Sequence, residues 1–231
     1  MTAIALALFL LQGSPDRVIG LLSLPEVFGG RMCAPFKPTD VALHTTPDDG
    51  TKFAVVHVDQ EWSFAPHGGC EGLRVSVHRG NVREELPTLE YDYEMPAAIV
   101  LEQRNGWFRV RMQQGSAWIK ASLSDRFMSL QELFEEFIGV TAIDKAFTGR
   151  LLTAPDLQAT VAGAARVSPL QPVQVLEIRD SAGQTFVKVD VMSHSLCNAG
   201  ANGPPEVVAT GWLPLHGPTG EPTIWYSSRG C

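Results

Sequence analysis

Two short motifs set a histidine and a cysteine three apart: His67-Gly68-Gly69-Cys70 and His194-Ser195-Leu196-Cys197. Two imidazoles and two thiolates form a tetrahedral zinc ligand set, so His67, Cys70, His194 and Cys197 define one candidate metal centre. The two pairs stand far apart along the chain, and a zinc site leaves Cys33 and Cys231 over. The competing chemistry is oxidation. Four cysteines permit three disulfide connectivities. Cys33–Cys70 and Cys197–Cys231 are the favoured pairs, because each closes a loop within one half of the chain. Each such loop is worth roughly 3–4 kcal/mol through restriction of the unfolded chain.

Other chemistry is poorly represented. Nucleophilic catalysis needs a Cys or Ser beside a base. No cysteine opens a helical pattern ahead of a suitable histidine, and the sequence holds no Gly-x-Ser-x-Gly, Walker-type or His-Glu-x-x-His pattern. The carboxylate pairs Glu84-Glu85 and Glu135-Glu136 are chain neighbours that point apart, and they read as solvated surface. The expectation is a protein that is not an enzyme and uses no cofactor. A binding role rests on aromatics instead. Glu90-Tyr91-Asp92-Tyr93-Glu94 could receive a cationic peptide or stack on sugar rings, or it could be an edge strand whose charges block edge pairing. Trp62, Tyr91 and Tyr93 are the candidate binding residues. Trp107, Trp118 and Trp212 read as core, whereas Trp62 and Trp225 lie in less regular segments.

Composition bounds the partners. The chain has 231 residues, 45% hydrophobic and 19% charged, and a net charge of -7. No cluster of basic residues exists for a phosphate backbone or an anionic membrane, so nucleic acid is disfavoured. The run Met1 to Leu11 is apolar apart from Thr2. It is too short to span a bilayer, which takes about 20 residues. It fits the apolar part of a secretory signal over residues 1–14, although no Lys or Arg precedes it and no Ala-x-Ala follows; a buried first strand or helix is the alternative. With the cysteines, it points to an oxidising compartment, periplasmic or secreted.

The elements that must position these residues are mostly strands. Residues 15–40 read as an approach segment, with one short helix possible around Leu21. Phe53 to Val58 is rich in β-branched residues, and Leu73 to Arg79 alternates apolar and polar, so both read as strands. Ala98 to Leu101, Trp107 to Met112 and Ala117 to Lys120 form a meander with a hairpin signal at Asn105-Gly106. Ser129-Leu130-Gln131-Glu132 is a capping box that opens a helix. Its apolar face is Leu130, Leu133, Phe134, Phe137 and Ile138, with Gly139 as the stop. Val173 to Ile178, Phe186 to Val191 and Val207 to Leu213 are the later strands.

Two stretches repeat. Thr46-Pro47-Asp48, Val100-Leu101-Glu102, Gly106-Trp107-Phe108-Arg109-Val110 and Trp118-Ile119 are echoed in the second half. The echoes are Ala154-Pro155-Asp156, Val175-Leu176-Glu177, Phe186-Val187-Lys188-Val189 and Gly211-Trp212-Leu213. This pattern resembles the bacterial SH3-like barrel. Ser116-Ala117 replaces the Gly expected before Trp118, and Thr185-Phe186 replaces a Gly-Trp pair. The expected fold is mainly β: two small SH3-like antiparallel barrels with long loop insertions and one short amphipathic helix between them. The first barrel would span 41–125, a helical linker 126–148, and the second barrel 149–231 with a disulfide-pinned tail. The resemblance implies a non-catalytic module of the bacterial envelope that binds cell-wall glycan or peptide, or an envelope protein. A metal-binding or thiol-based protein and a scaffold without small ligand are the alternatives.

Overall fold

The computed structural model describes residues 16–23, 39–60, 73–92, 95–120, 127–136, 141–195 and 203–227. The fold is mainly β, with two antiparallel sheets. The first sheet holds β1 (Gly20–Ser23), β2 (Thr39–His44), β3 (Lys52–Gln60), β4 (Leu73–Arg79), β5 (Val82–Glu85), β6 (Thr88–Asp92), β7 (Met95–Arg104), β8 (Trp107–Arg111), β9 (Ser116–Lys120) and β10 (Phe127–Ser129). Helix α1 (Leu130–Glu136) follows. The second sheet holds β11 (Thr141–Ile143), β12 (Arg150–Leu152), β13 (Val161–Arg166), β14 (Pro172–Ser181), β15 (Gln184–Met192), β16 (Val207–Pro214) and β17 (Ile224–Tyr226). The strand orders are β10-β1-β7-β8-β9-β2-β3-β4-β5, with β6 on β7, and β13-β12-β16-β15-β14-β11-β17.

The repeat seen in the sequence is written into the hydrogen bonding. His44 pairs with Trp118 in the first unit, and Leu152 pairs with Trp212 in the second. Val100 faces Val110 and Glu102 faces Arg109, so Leu101 bulges out of register. Val175 faces Val189 and Glu177 faces Lys188, so Leu176 bulges at the matching place. The Pro-Asp turns also agree. Asp48 N donates to Thr46 O, Thr51 N to Asp48 O and Gly50 N to Asp48 Oδ1; Asp156 N donates to Ala154 O, Ala159 N to Asp156 O and Gln158 N to Asp156 Oδ1. In each hairpin the turn residues have positive φ, Asn105 (50°) with Gly106 (79°) and Ala182 (49°) with Gly183 (77°), the conformation that matches strand twist.

The two units share a core. In β1 and β7 successive side chains go to opposite faces. Leu22, Ala98 and Val100 join Val56, Val77, Phe108 and Ile119 inside the first unit. Leu21, Ala97, Ile99 and Leu101 face the other way, and pack with Leu133, Ile143, Val187, Val189, Leu213 and Ile224. The run Ala97 to Leu101 is apolar throughout because both of its faces are buried.

Several short strands differ from the sequence expectation. The segment around Leu21 is strand β1, not a helix, because its backbone is taken up on both edges by β7 and β10. The stretch expected as a helical linker gives β10 to the first sheet and β11 to the second. Helix α1 is capped as expected: Ser129 N and Oγ both donate to Glu132 Oε2 at 2.7 Å, and Glu132 N donates back to Ser129 Oγ at 3.2 Å. These bonds, that from the Ser129 hydroxyl first, hold the Glu132 carboxyl below its ordinary range. Leu130, Leu133 and Phe134 are buried in the shared core, so this face is packing rather than a docking surface; Phe137, Ile138 and Gly139 lie outside the described residues.

Candidate functional site

Where the second sheet's β11 and β17 meet β6 of the first, the surface opens into a cleft of about 630 Å³. Leu89, Ile143, Leu170, Pro222, Trp225 and Tyr226 make its apolar wall, and Asp144, Lys145 and Glu221 also line it. The aromatic side is fixed from behind. Tyr226 Oη donates to the carbonyls of Glu90 (3.1 Å) and Tyr91 (3.0 Å), bridging the two units. Trp225 packs on Tyr226 with ring centres 5.2 Å apart and meets Phe134 edge-on at 6.2 Å.

The polar groups around the cleft are tied by local geometry. Asp144 Oδ1 accepts from Ala146 N at 2.8 Å, and Asp144 O accepts from Phe147 N at 3.0 Å, forming a tight turn that carries Lys145. Glu221 is paired with Arg111 at 2.7 Å. Leu170 is unusual. It is 69% exposed and has φ +60°, a left-handed conformation that costs an L-residue about 1–2 kcal/mol. Its N–H donates to Ile143 O at 3.0 Å, and Gln171 closes the turn onto Ser168 on both sides. A strained, exposed leucine beside an apolar cleft is a feature to explain by what it contacts.

A second constellation lies on the first sheet, on the face turned away from that unit's own core. There His57 pairs with Asp40 on one side and with Ser76 on the other. His57 Nδ1 is 2.6 Å from Asp40 Oδ1. His78 Nε2 is 2.9 Å from Ser76 Oγ. The two imidazole centres are 5.1 Å apart with planes tilted by 38°. Serine, histidine and aspartate are thus neighbours, but Ser76 is only 2% exposed. A hydroxyl so covered is an orienting group, not an accessible nucleophile.

The residues singled out in the sequence fall in different places. Trp62, Tyr93, His67 and all four cysteines, Cys33, Cys70, Cys197 and Cys231, lie outside the described residues, so the proposed disulfides and zinc centre do too. Tyr91 is half-buried against the shared core. His194 is half-buried beside Ser193 Oγ (3.0 Å) and the carbonyl of Gly203 (3.1 Å). Trp107, Trp118 and Trp212 are buried, as expected of core residues. Trp225 is half-buried on the cleft wall. Among the described residues no group of three or more His, Cys, Asp or Glu is placed to hold a metal ion. Among those same residues, no helix is long and apolar enough to cross a membrane. Sequence reasoning missed Leu170, Asp144 and Lys145, which carry no motif. It also missed His57 and His78, for which only the strand register places the rings side by side.

No family model matches the chain, and no curated protein matches it in sequence. Among solved structures, NlpC2 from Trichomonas vaginalis is similar at 12% identity with a TM-score of 0.22. The alignment covers 84% of this chain and 50% of that one, so this chain spans about half the length of its neighbour. A likeness this slight says nothing of how the present cleft is used.

Proposed function

We propose that this chain is a non-catalytic binding module of the bacterial envelope, built from two SH3-like barrels. Its ligand is a cell-wall peptide or glycan fragment seated in the cleft between the units. The observation that carries this reading is the cleft itself, with Trp225 and Tyr226 on one side and Leu170 beside them. Its volume of about 630 Å³ is in the usual range for a small-ligand site, roughly 300–1,000 Å³. An indole face takes the apolar face of a sugar ring or a peptide side chain, and Asp144 and Lys145 offer one charge of each sign to a zwitterionic stem peptide. The matched bulges, turns and closing pairs support two copies of one small barrel. Placement in the envelope rests on the apolar leader and the even cysteine count.

The test is a titration of the full chain with soluble wall fragments, followed by tryptophan fluorescence. Saturable binding that is lost in Trp225→Ala and weakened in Leu170→Ser supports the reading. Leu170→Ser changes an exposed side chain and leaves the fold intact, so it guards against a misfolded tryptophan variant. Fragments that do not bind, or that bind all variants equally, would remove the cleft from consideration.

A further inference from the structure

We propose that His57 and His78 form a site for a borderline divalent metal ion of the zinc or copper type, bound through His57 Nε2 and His78 Nδ1. The proposal does not depend on the cleft or on the wall-binding reading. It begins from which ring nitrogens are already used. An ionised carboxylate only accepts, so at 2.6 Å from Asp40 Oδ1 the Nδ1 of His57 carries the proton. Its Nε2 therefore keeps a lone pair. His78 uses Nε2 against Ser76 Oγ at 2.9 Å, and a serine oxygen can accept that proton. A bound ion selects the tautomer in which Ser76 Oγ accepts from Nε2, which leaves the lone pair of His78 on Nδ1.

For His57 this is the outer-shell arrangement of metal-binding histidines, in which the ring nitrogen away from the metal is held by a carboxylate. The spacing agrees as well. With metal–nitrogen bonds of about 2.1 Å and the ring centre about 1.1 Å behind each nitrogen, two imidazoles on one tetrahedral ion have ring centres about 5.2 Å apart. The observed separation is 5.1 Å. Both rings are half-buried, and they project from neighbouring strands that are locked by the register Val55–His78 and His57–Ser76. Water fills the remaining coordination positions. Imidazole ligands favour zinc, copper and nickel over magnesium or calcium. An ion held there clamps β3 to β4. Arg83, opposite His78 on β5, is exposed and leaves the site with less affinity than an all-anionic cage.

The experiment uses the full chain and zinc chloride alone. Calorimetric titration of the wild type is compared with His57→Gln, His78→Gln and Asp40→Asn. One zinc equivalent should disappear in each histidine variant, and Asp40→Asn should weaken that equivalent by about tenfold, as loss of an orienting carboxylate does. Ring nitrogen NMR of the wild type needs no variant: zinc should shift His57 Nε2 and His78 Nδ1 while the opposite nitrogens keep their tautomers. Isotherms unchanged in both histidine variants, unshifted His57 and His78 nitrogens, or no binding at millimolar zinc would each overturn the site. Binding lost only in His67→Gln or His194→Gln would assign the metal to the cysteine motifs instead and overturn it equally.

Discussion

His216 Nε2 lies 2.5 Å from the carbonyl oxygen of Val18, although 198 residues separate them. The same junction has Val18 N donating to Gly220 O at 3.1 Å. Arg111 of the first sheet reaches Glu221 close by. The segment ahead of the first sheet is thus held by the loop before the last strand of the second. Beneath these polar contacts lies the shared core, with Val18 and Leu21 among its fully buried members. The units are therefore coupled by both apolar packing and directed bonds. That coupling brings Leu89 of one unit and Trp225 of the other into the lining of one cleft.

The His216 contact makes stability depend on pH near neutrality. Burial is the largest influence on this imidazole and pushes its pKa below the ordinary value; Arg17 pushes the same way, while the Val18 carbonyl and Glu221 oppose. A neutral ring is therefore the folded form. Because the folded pKa is lowered, the contribution is complete above the unfolded pKa of about 6.5 and is lost as pH falls through the folded value. Urea unfolding between about pH 7.5 and about pH 5 should show stability falling with acid. His216→Gln keeps a donor for Val18 and should flatten that slope. An equal slope in both proteins would place the titration elsewhere.

Arg109 gives a second pH-dependent contact, in acid. It donates to both oxygens of Asp16 at 2.9 Å and to Glu102 at 3.1 Å. The bond from Arg109 is the largest cause holding the Asp16 carboxyl below its usual value. A depressed carboxylate stabilises above the unfolded pKa of about 3.9 and ceases to do so as pH falls through the folded one. The Asp16 side chain is 50% exposed, so solvent screening limits the pair to about 1 kcal/mol. Asp16→Asn should cost about that much at neutral pH and progressively less as pH falls through the folded pKa. A cost that persists in acid would mean that packing, not charge, is lost.

What could be read in advance was local. Asn105-Gly106, the strand Trp107 to Val110 and the capping box at Ser129 each state their structure within a few residues, and the Pro-Asp turns recur visibly in both halves. The strands β1, β10, β11 and β17 are three or four residues long. Their identity comes from partners far away in sequence, such as Thr141 with Tyr226, and no local period reveals it. The candidate sites were less legible for the same reason. His57 and His78 become neighbours only through the β3–β4 register, and nothing about Leu170 in sequence announces a left-handed backbone. Trp225 could be set apart from Trp107, Trp118 and Trp212 because it stands in a less regular segment, and it lines the cleft while those three are buried.

Gly220 tests the junction between the units without changing charge. Its φ is +85°, and a Cβ there would stand 2.2 Å from the carbonyl oxygen of Asp16. The obstacle is backbone on both sides, so a small rotation of a side chain cannot relieve it. Gly220→Ala should destabilise by at least about 2 kcal/mol from left-handed strain and overlap together. The companion Gly183→Ala also has positive φ but meets nothing within 4 Å, so it should cost only the strain. Thermal melts of the two variants side by side separate the contributions. Equal losses would show that Gly220 matters for its turn and not for the approach of Asp16.

The two bulged leucines set the same residue in the same backbone arrangement against different surroundings. Leu101 and Leu176 occupy matching positions between a Val–Val pair and a Glu paired with Arg or Lys. Leu101 is 7% exposed because it faces the second unit, whereas Leu176 is 45% exposed. The same residue in the same backbone thus does different work. Leu101→Ala should cost about 2–5 kcal/mol, the range for a buried leucine whose site cannot fully collapse. Leu176→Ala should stay within about 0.5 kcal/mol of the wild type. Urea midpoints measured with equal slopes give both values directly. If Leu176→Ala proved as costly as Leu101→Ala, the exposed leucine would have to be covered in solution by another molecule of the same chain, and the loss would then depend on protein concentration.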